Sequence, residues 1–185
     1  MKLNMSKRTG AKKGEVKELR RIGSIPSVLY SSKRPAENIT ISGAEFAASL
    51  RQIPQGRLAT TTFSLSDGNA EIKAIVKDIQ YHPTTYQVLH IDFVELVDGV
   101  SVNVKVPVEC TGVADCSGIK LGGFLRQVLR SVKIECLPNS IPAKFEIDVR
   151  ELGIKQTRRV SDIAMPQGIR SLVNDNEVVV VIAKR

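Results

Sequence analysis

Tryptophan is absent from this chain, and phenylalanine and tyrosine together number eight. Phe46, Phe63 and Phe93 sit in apolar patterns that belong in a core. Only Tyr30, Tyr81 and Tyr86 are then left as exposed platforms, too few for a surface that reads single strands by stacking bases. No apolar run approaches the roughly 18 residues that span a bilayer. The opening Met-Lys-Leu-Asn-Met-Ser-Lys-Arg has no apolar segment behind its basic residues, so no secretory leader is expected. Cys110, Cys116 and Cys136 lack ligand spacing, and an odd number cannot all pair within one chain. They read as reduced thiols, small buried hydrophobes of a cytoplasmic protein. There is no Gly-rich loop between strand and helix, no Gly-x-Ser-x-Gly and no Cys/His cluster, and Gly122-Gly123 reads as a turn. His82 and His90 are the only histidines, so a metal site with Asp92 would lack a third soft ligand. A His90–Asp92 dyad likewise has no Ser or Cys nucleophile placed beside it. No catalytic residue, metal, cofactor or small-molecule substrate is expected.

Acidic residues are scarce at the start of the chain. Residues 1–34 hold ten Lys or Arg against two Glu, and the remainder carries seventeen of each sign. The whole net charge of +8 therefore sits in the first fifth, the footprint of a polyanion-binding surface. Lys2–Arg8 reads as a weak strand, and Lys12–Ile22 as a helix with Val16 and Leu19 on one side and Gly23 at its C-terminal cap. Lys13, Lys17, Arg20 and Arg21 form a basic stripe on that helix, which a solvated face would also explain. Pro26 leads into an extended segment ending at Tyr30. Asn38–Ile41 reads as a strand. Ser42 and Glu45 form a capping-box pattern that opens a helix over Gly43–Gln52, with Phe46, Ala47 and Leu50 as its apolar face. Asp67-Gly68 is a hairpin signal joining Thr60–Leu65 to Ala70–Tyr81.

The stretch around Val88–Leu96 organises this half. Ile91 and Phe93 alternate with His90 and Asp92, so the polar pair should stand outward on a strand whose other face enters the core. After Asp98-Gly99, five valines from Val100 to Val108 recur at period two, and Pro107 suggests an edge strand. Val128–Leu137, Lys144–Val149 and Glu177–Ala183 are further strands, separated by turn-rich links that include Gly112–Gly123. The expected fold is mainly β with a few helices. Residues 1–97 should form a small closed barrel with two helices, and 98–185 a second, mostly antiparallel β domain.

Few aromatics and many cations suit a folded, double-helical nucleic acid better than a single strand. Arg8, Arg20 and Arg21 can fork onto phosphates or purine edges. Asp92 should repel phosphate, so its place there suggests a donor such as a base amino group or a 2′-hydroxyl; an ordinary salt bridge would also explain it.

Arg8-Thr9-Gly10, Leu19–Tyr30, Asp78-Ile79-Gln80-Tyr81-His82-Pro83 and His90-Ile91-Asp92-Phe93 together resemble a bacterial ribosomal family. It is the 5S rRNA-binding large-subunit protein number twenty-five, in its long general-stress (Ctc) form. Val106-Pro107-Val108, Gly122-Gly123, Leu137-Pro138, Ile141-Pro142, Ile147-Asp148-Val149 and Ser161-Asp162 extend the resemblance along the chain. The chain departs from many relatives at Ser31, where they carry glycine, and in having no acidic tail after Arg185. The resemblance implies a structural, non-enzymatic ribosomal protein in the cytoplasm, whose barrel grips the loop E region of 5S rRNA from the minor-groove side. It implies RNA contacts at Arg8, Arg21, Tyr30, His90 and Asp92, with Arg20 adjacent. Lys7, Lys12, Lys13 and Lys17 would add phosphate attraction. The C-terminal domain would meet neighbouring ribosomal proteins or 23S rRNA. The alternative is a stress-related protein working off the ribosome through that domain.

Overall fold

Alternating apolar and polar residues become strands along most of the chain, in a computed structural model that describes residues 1–9, 13–68 and 70–184. Two units follow one another, Met1–Val100 and Ser101–Arg185.

In the first unit, β1 (Lys2–Lys7), β2 (Ser24–Tyr30), β3 (Glu37–Ser42), β4 (Thr62–Ser66), β5 (Glu71–Tyr81) and β6 (Val88–Glu95) close into a barrel, in the order β1-β3-β2-β6-β5-β4. The β1–β4 and β2–β6 pairings are parallel and the others antiparallel. Leu3, Ile39, Ile41, Phe63, Leu65, Ile91 and Phe93 fill the interior, each almost wholly out of water. The hairpin expected at Asp67-Gly68 joins β4 to β5, with Gly68 at φ 80°, a left-handed value that glycine adopts freely.

Helix α1 (Lys13–Arg21) buries none of its residues. Gly23, at φ 83°, ends it by donating its N–H to Arg20 O at 3.2 Å. Helix α2 (Gly43–Gln52) keeps its expected limits, and the Glu45 N–H donates to Ser42 Oγ at 3.5 Å. Glu45 does not turn back on Ser42 as a capping box requires. Its carboxylate accepts the backbone N–H and the side-chain amide of Asn4, both at 3.0 Å, which ties α2 to β1. Those hydrogen bonds hold the Glu45 carboxyl below its usual range. Ala47 is exposed rather than part of the apolar face. Ser49 is buried instead, its hydroxyl satisfied by Glu45 O at 3.0 Å.

In the second unit, β7 (Val102–Thr111), β9 (Ser131–Cys136), β10 (Phe145–Asp148) and β12 (Arg170–Ser171) form one sheet, ordered β10-β7-β9-β12. A smaller sheet, β11-β13-β8, is built from β8 (Gly123–Gln127), β11 (Thr157–Arg159) and β13 (Val178–Lys184). Val102, Val104, Val106 and Val108 are buried as their alternation requires. The edge reading of Pro107 is corrected, because β7 lies inside its sheet. The ladder to β9 ends at Pro107 and the ladder to β10 begins at Val108, so the missing N–H falls where partners change. The link over Gly112–Gly123 contains a short helix, α3 (Ser117–Lys120), and leads directly into β8. Cys116 and Cys136 are buried and Cys110 half-buried, all three as free thiols. Burial raises the pKa of Cys110 and Cys136.

Candidate nucleic-acid interface

The period-two pattern of β6 sends Ile91 and Phe93 into the barrel and leaves His90 and Asp92 outside. His90 Nδ1 lies 2.8 Å from Asp92 Oδ1, with side chains 20% and 37% exposed. In the Nδ1–H tautomer that nitrogen donates to the carboxylate, and Nε2 is left as an acceptor. Strand pairing then adds groups that are distant in the chain. On β5, Gln80 stands opposite His90 and Asp78 opposite Asp92; on β2, Val28 neighbours Asp92 and Tyr30 neighbours Val94. Like charges directly across a sheet are unfavourable, so paired aspartates on an outer face call for a reason beyond folding. Asp78 and Gln80 belong to a stretch that carries the family resemblance but are not among the expected contact residues, since only the β5–β6 register brings them to the pair.

Tyr30 closes this acceptor-rich centre. Its partial burial, then the negative charges of Asp92 and Asp78, raise its pKa, keeping the phenol a hydrogen-bond donor. An absorbance titration of tyrosinate should show a component above the ordinary value of about 10, and Tyr30→Phe should remove it. A raised folded-state pKa favours the neutral form. The stabilisation is therefore complete below the unfolded value and fades as pH climbs through the folded one.

The expected cations divide into two groups. Arg20 donates from Nε and Nη2 to Leu89 O, at 3.1 and 3.0 Å, so the guanidinium fastens α1 to the residue preceding His90. Arg8 is tied to β3, through Ile39 O and Asn38 Oδ1, both at 3.3 Å. These two arginines act first as internal struts. Lys7 lies 3.4 Å from Glu37 and stays largely exposed. Lys13, Lys17 and Arg21 are exposed, and among the described residues none has an ion-pair or hydrogen-bond partner for its side chain. Lys12 lies outside the described residues.

His82 belongs to another structure. Its Nδ1 accepts the N–H groups of Thr84 and Thr85, at 3.4 and 3.3 Å, and shapes the β5–β6 turn. Among the described residues no group of three or more His, Cys, Asp and Glu could hold a metal ion.

The sequence profile of the ribosomal L25p family matches residues 3–93, and that of the ribosomal protein TL5 C-terminal domain matches 101–185. The large ribosomal subunit protein bL25 of Chlamydia trachomatis serovar L2 is 46% identical over 185 residues, covering both chains in full. Those of Chlamydia abortus and Chlamydia pneumoniae are each 43% identical over the same full length.

The chain belongs to the ribosomal L25p family.

Like its family, it is a structural ribosomal protein, ribosome-associated in the cytoplasm, and not an enzyme. The L25p match falls on the barrel and the TL5-type match on the second unit, which makes this the long form.

Proposed function

We propose that the barrel binds 5S rRNA within the large ribosomal subunit, at the loop E region and from the minor-groove side. The observation that carries this reading is the Asp78–Asp92 pair beside Tyr30 and His90, with the unpaired cations of α1 fastened nearby by Arg20. Carboxylates repel phosphate but accept hydrogen bonds from 2′-hydroxyls and guanine amino groups, the donors that a minor groove displays. Lys13, Lys17 and Arg21 would meet the phosphates on either side, with Lys7 and Lys12 in support. In this reading Arg8 and Arg20 position the face, and Arg21, Tyr30, His90 and Asp92 touch the RNA directly.

The test is a gel-shift titration of 5S rRNA at several salt concentrations, with a footprint to locate the site. Neutralising about five phosphates should make log affinity fall with log salt at a slope of roughly −4 to −5. Lys13→Gln/Lys17→Gln/Arg21→Gln should reduce the steepness by nearly three. A flat salt response, or protection away from loop E, would reject the reading.

A further inference from the structure

The second unit carries a stripe on the smaller sheet that the barrel's function does not use. Among the described residues strand β8 pairs only with β13, at the edge of its sheet. The strand ends at Gln127, and the chain bends at Val128, where the N–H groups of Val128 and Leu129 both donate to Val179 O, at 2.9 and 3.2 Å. Along this segment Phe124, Arg126, Val128 and Arg130 are exposed, while Leu125, Gln127 and Leu129 are half-buried between them. Phe124 is 48% exposed, Val128 53% and the preceding Leu121 73%. Among the described residues neither Arg126 nor Arg130 has an ion-pair or hydrogen-bond partner for its side chain. Two lysines of this unit do pair, Lys120 with Asp115 and Lys144 with Glu109, while Lys105, Lys133, Lys155, Arg158 and Arg170 have no side-chain partner among the described residues.

We propose that this stripe is a second RNA site, separate from the barrel face, which takes an unpaired strand. Phe124 stacks a base while Arg126 and Arg130 hold phosphates, the combination of ring and cation that single-strand binding uses. The order of residues argues against a protein partner. Protein interfaces place apolar groups at the centre and charge at the rim. Here Arg126 shares the exposed side of β8 with Phe124, where a protein surface would have to desolvate it. A nucleic acid offers a phosphate to the guanidinium and a base face to the ring at neighbouring positions.

The test is fluorescence anisotropy of a short fluorescein-labelled oligouridine with the full chain. Phe124→Leu, which keeps the strand apolar, should weaken binding about tenfold. Arg126→Gln/Arg130→Gln should lower the steepness of the salt dependence by about 1.4. Both differences should persist in a Lys13→Gln/Lys17→Gln/Arg21→Gln background, so failure of the stripe and failure of the barrel reading are told apart. Wild-type affinity in the stripe variants overturns the proposal. In large subunits containing the chain with Phe124 replaced by photoreactive p-benzoylphenylalanine, a crosslink to RNA supports it and a crosslink to a protein overturns it.

Discussion

Phe93→Ala should lower the stability of the barrel by about 3–5 kcal/mol, the usual cost of deleting a buried ring. Phe93 is fully buried on β6, in register with Leu29 of β2 and Val76 of β5. It meets Phe63 edge to face, with centroids 6.2 Å apart and planes at 83°, and Phe63 meets Phe46 of α2 at the same distance. The three rings therefore link β6, β4 and the helix that packs on them. An alanine leaves a cavity that the closed hydrogen-bonded wall cannot collapse to fill. For a domain of this size each kcal/mol is worth about 4–8 °C, so the melting midpoint should fall by roughly 15 °C or more. With no tryptophan to report, urea unfolding followed by far-ultraviolet circular dichroism is the suitable measurement. A loss below about 1 kcal/mol would mean that the ring is not the keystone its burial implies.

That core was legible in the sequence because its signals are local. The alternation through His90-Ile91-Asp92-Phe93 puts two residues in and two out without reference to any partner strand. Ser42 with Glu45, and Asp67-Gly68, likewise mark a helix start and a hairpin from their own chemistry. What escaped depends on register and on partners. Asp78 and Gln80 join the candidate site only when β5 and β6 pair. Glu45 leaves its capping box because Asn4, 41 residues away in sequence, offers two donors. Arg8 and Arg20 read as free positive charges, yet backbone carbonyls claim them. Strand β8 escaped for a different reason. Its exposed positions include Phe124 and its half-buried ones include Gln127, which erases the period-two contrast that marks a strand.

The second large effect concerns discrimination between RNAs. His90→Ala and Asp92→Ala should each weaken binding to 5S rRNA by about 1–3 kcal/mol, if each side chain meets a base edge or ribose. Their losses should not add. The 2.8 Å contact means that removing Asp92 also frees the imidazole, so the double variant should lose less than the two singles together. Asp92 carries a further consequence of opposite sign. A carboxylate facing Asp78 repels any phosphate that approaches the centre of the face, and its removal relieves that repulsion. Asp92→Ala should therefore bind 5S rRNA more weakly while binding an arbitrary RNA duplex as well as, or slightly better than, the unaltered protein. The ratio of the two affinities, measured at one salt concentration, is the deciding quantity. If both fall together, Asp92 is only a support for the strand; if the ratio alone collapses, the negative charge at the heart of a cationic surface is what selects the target.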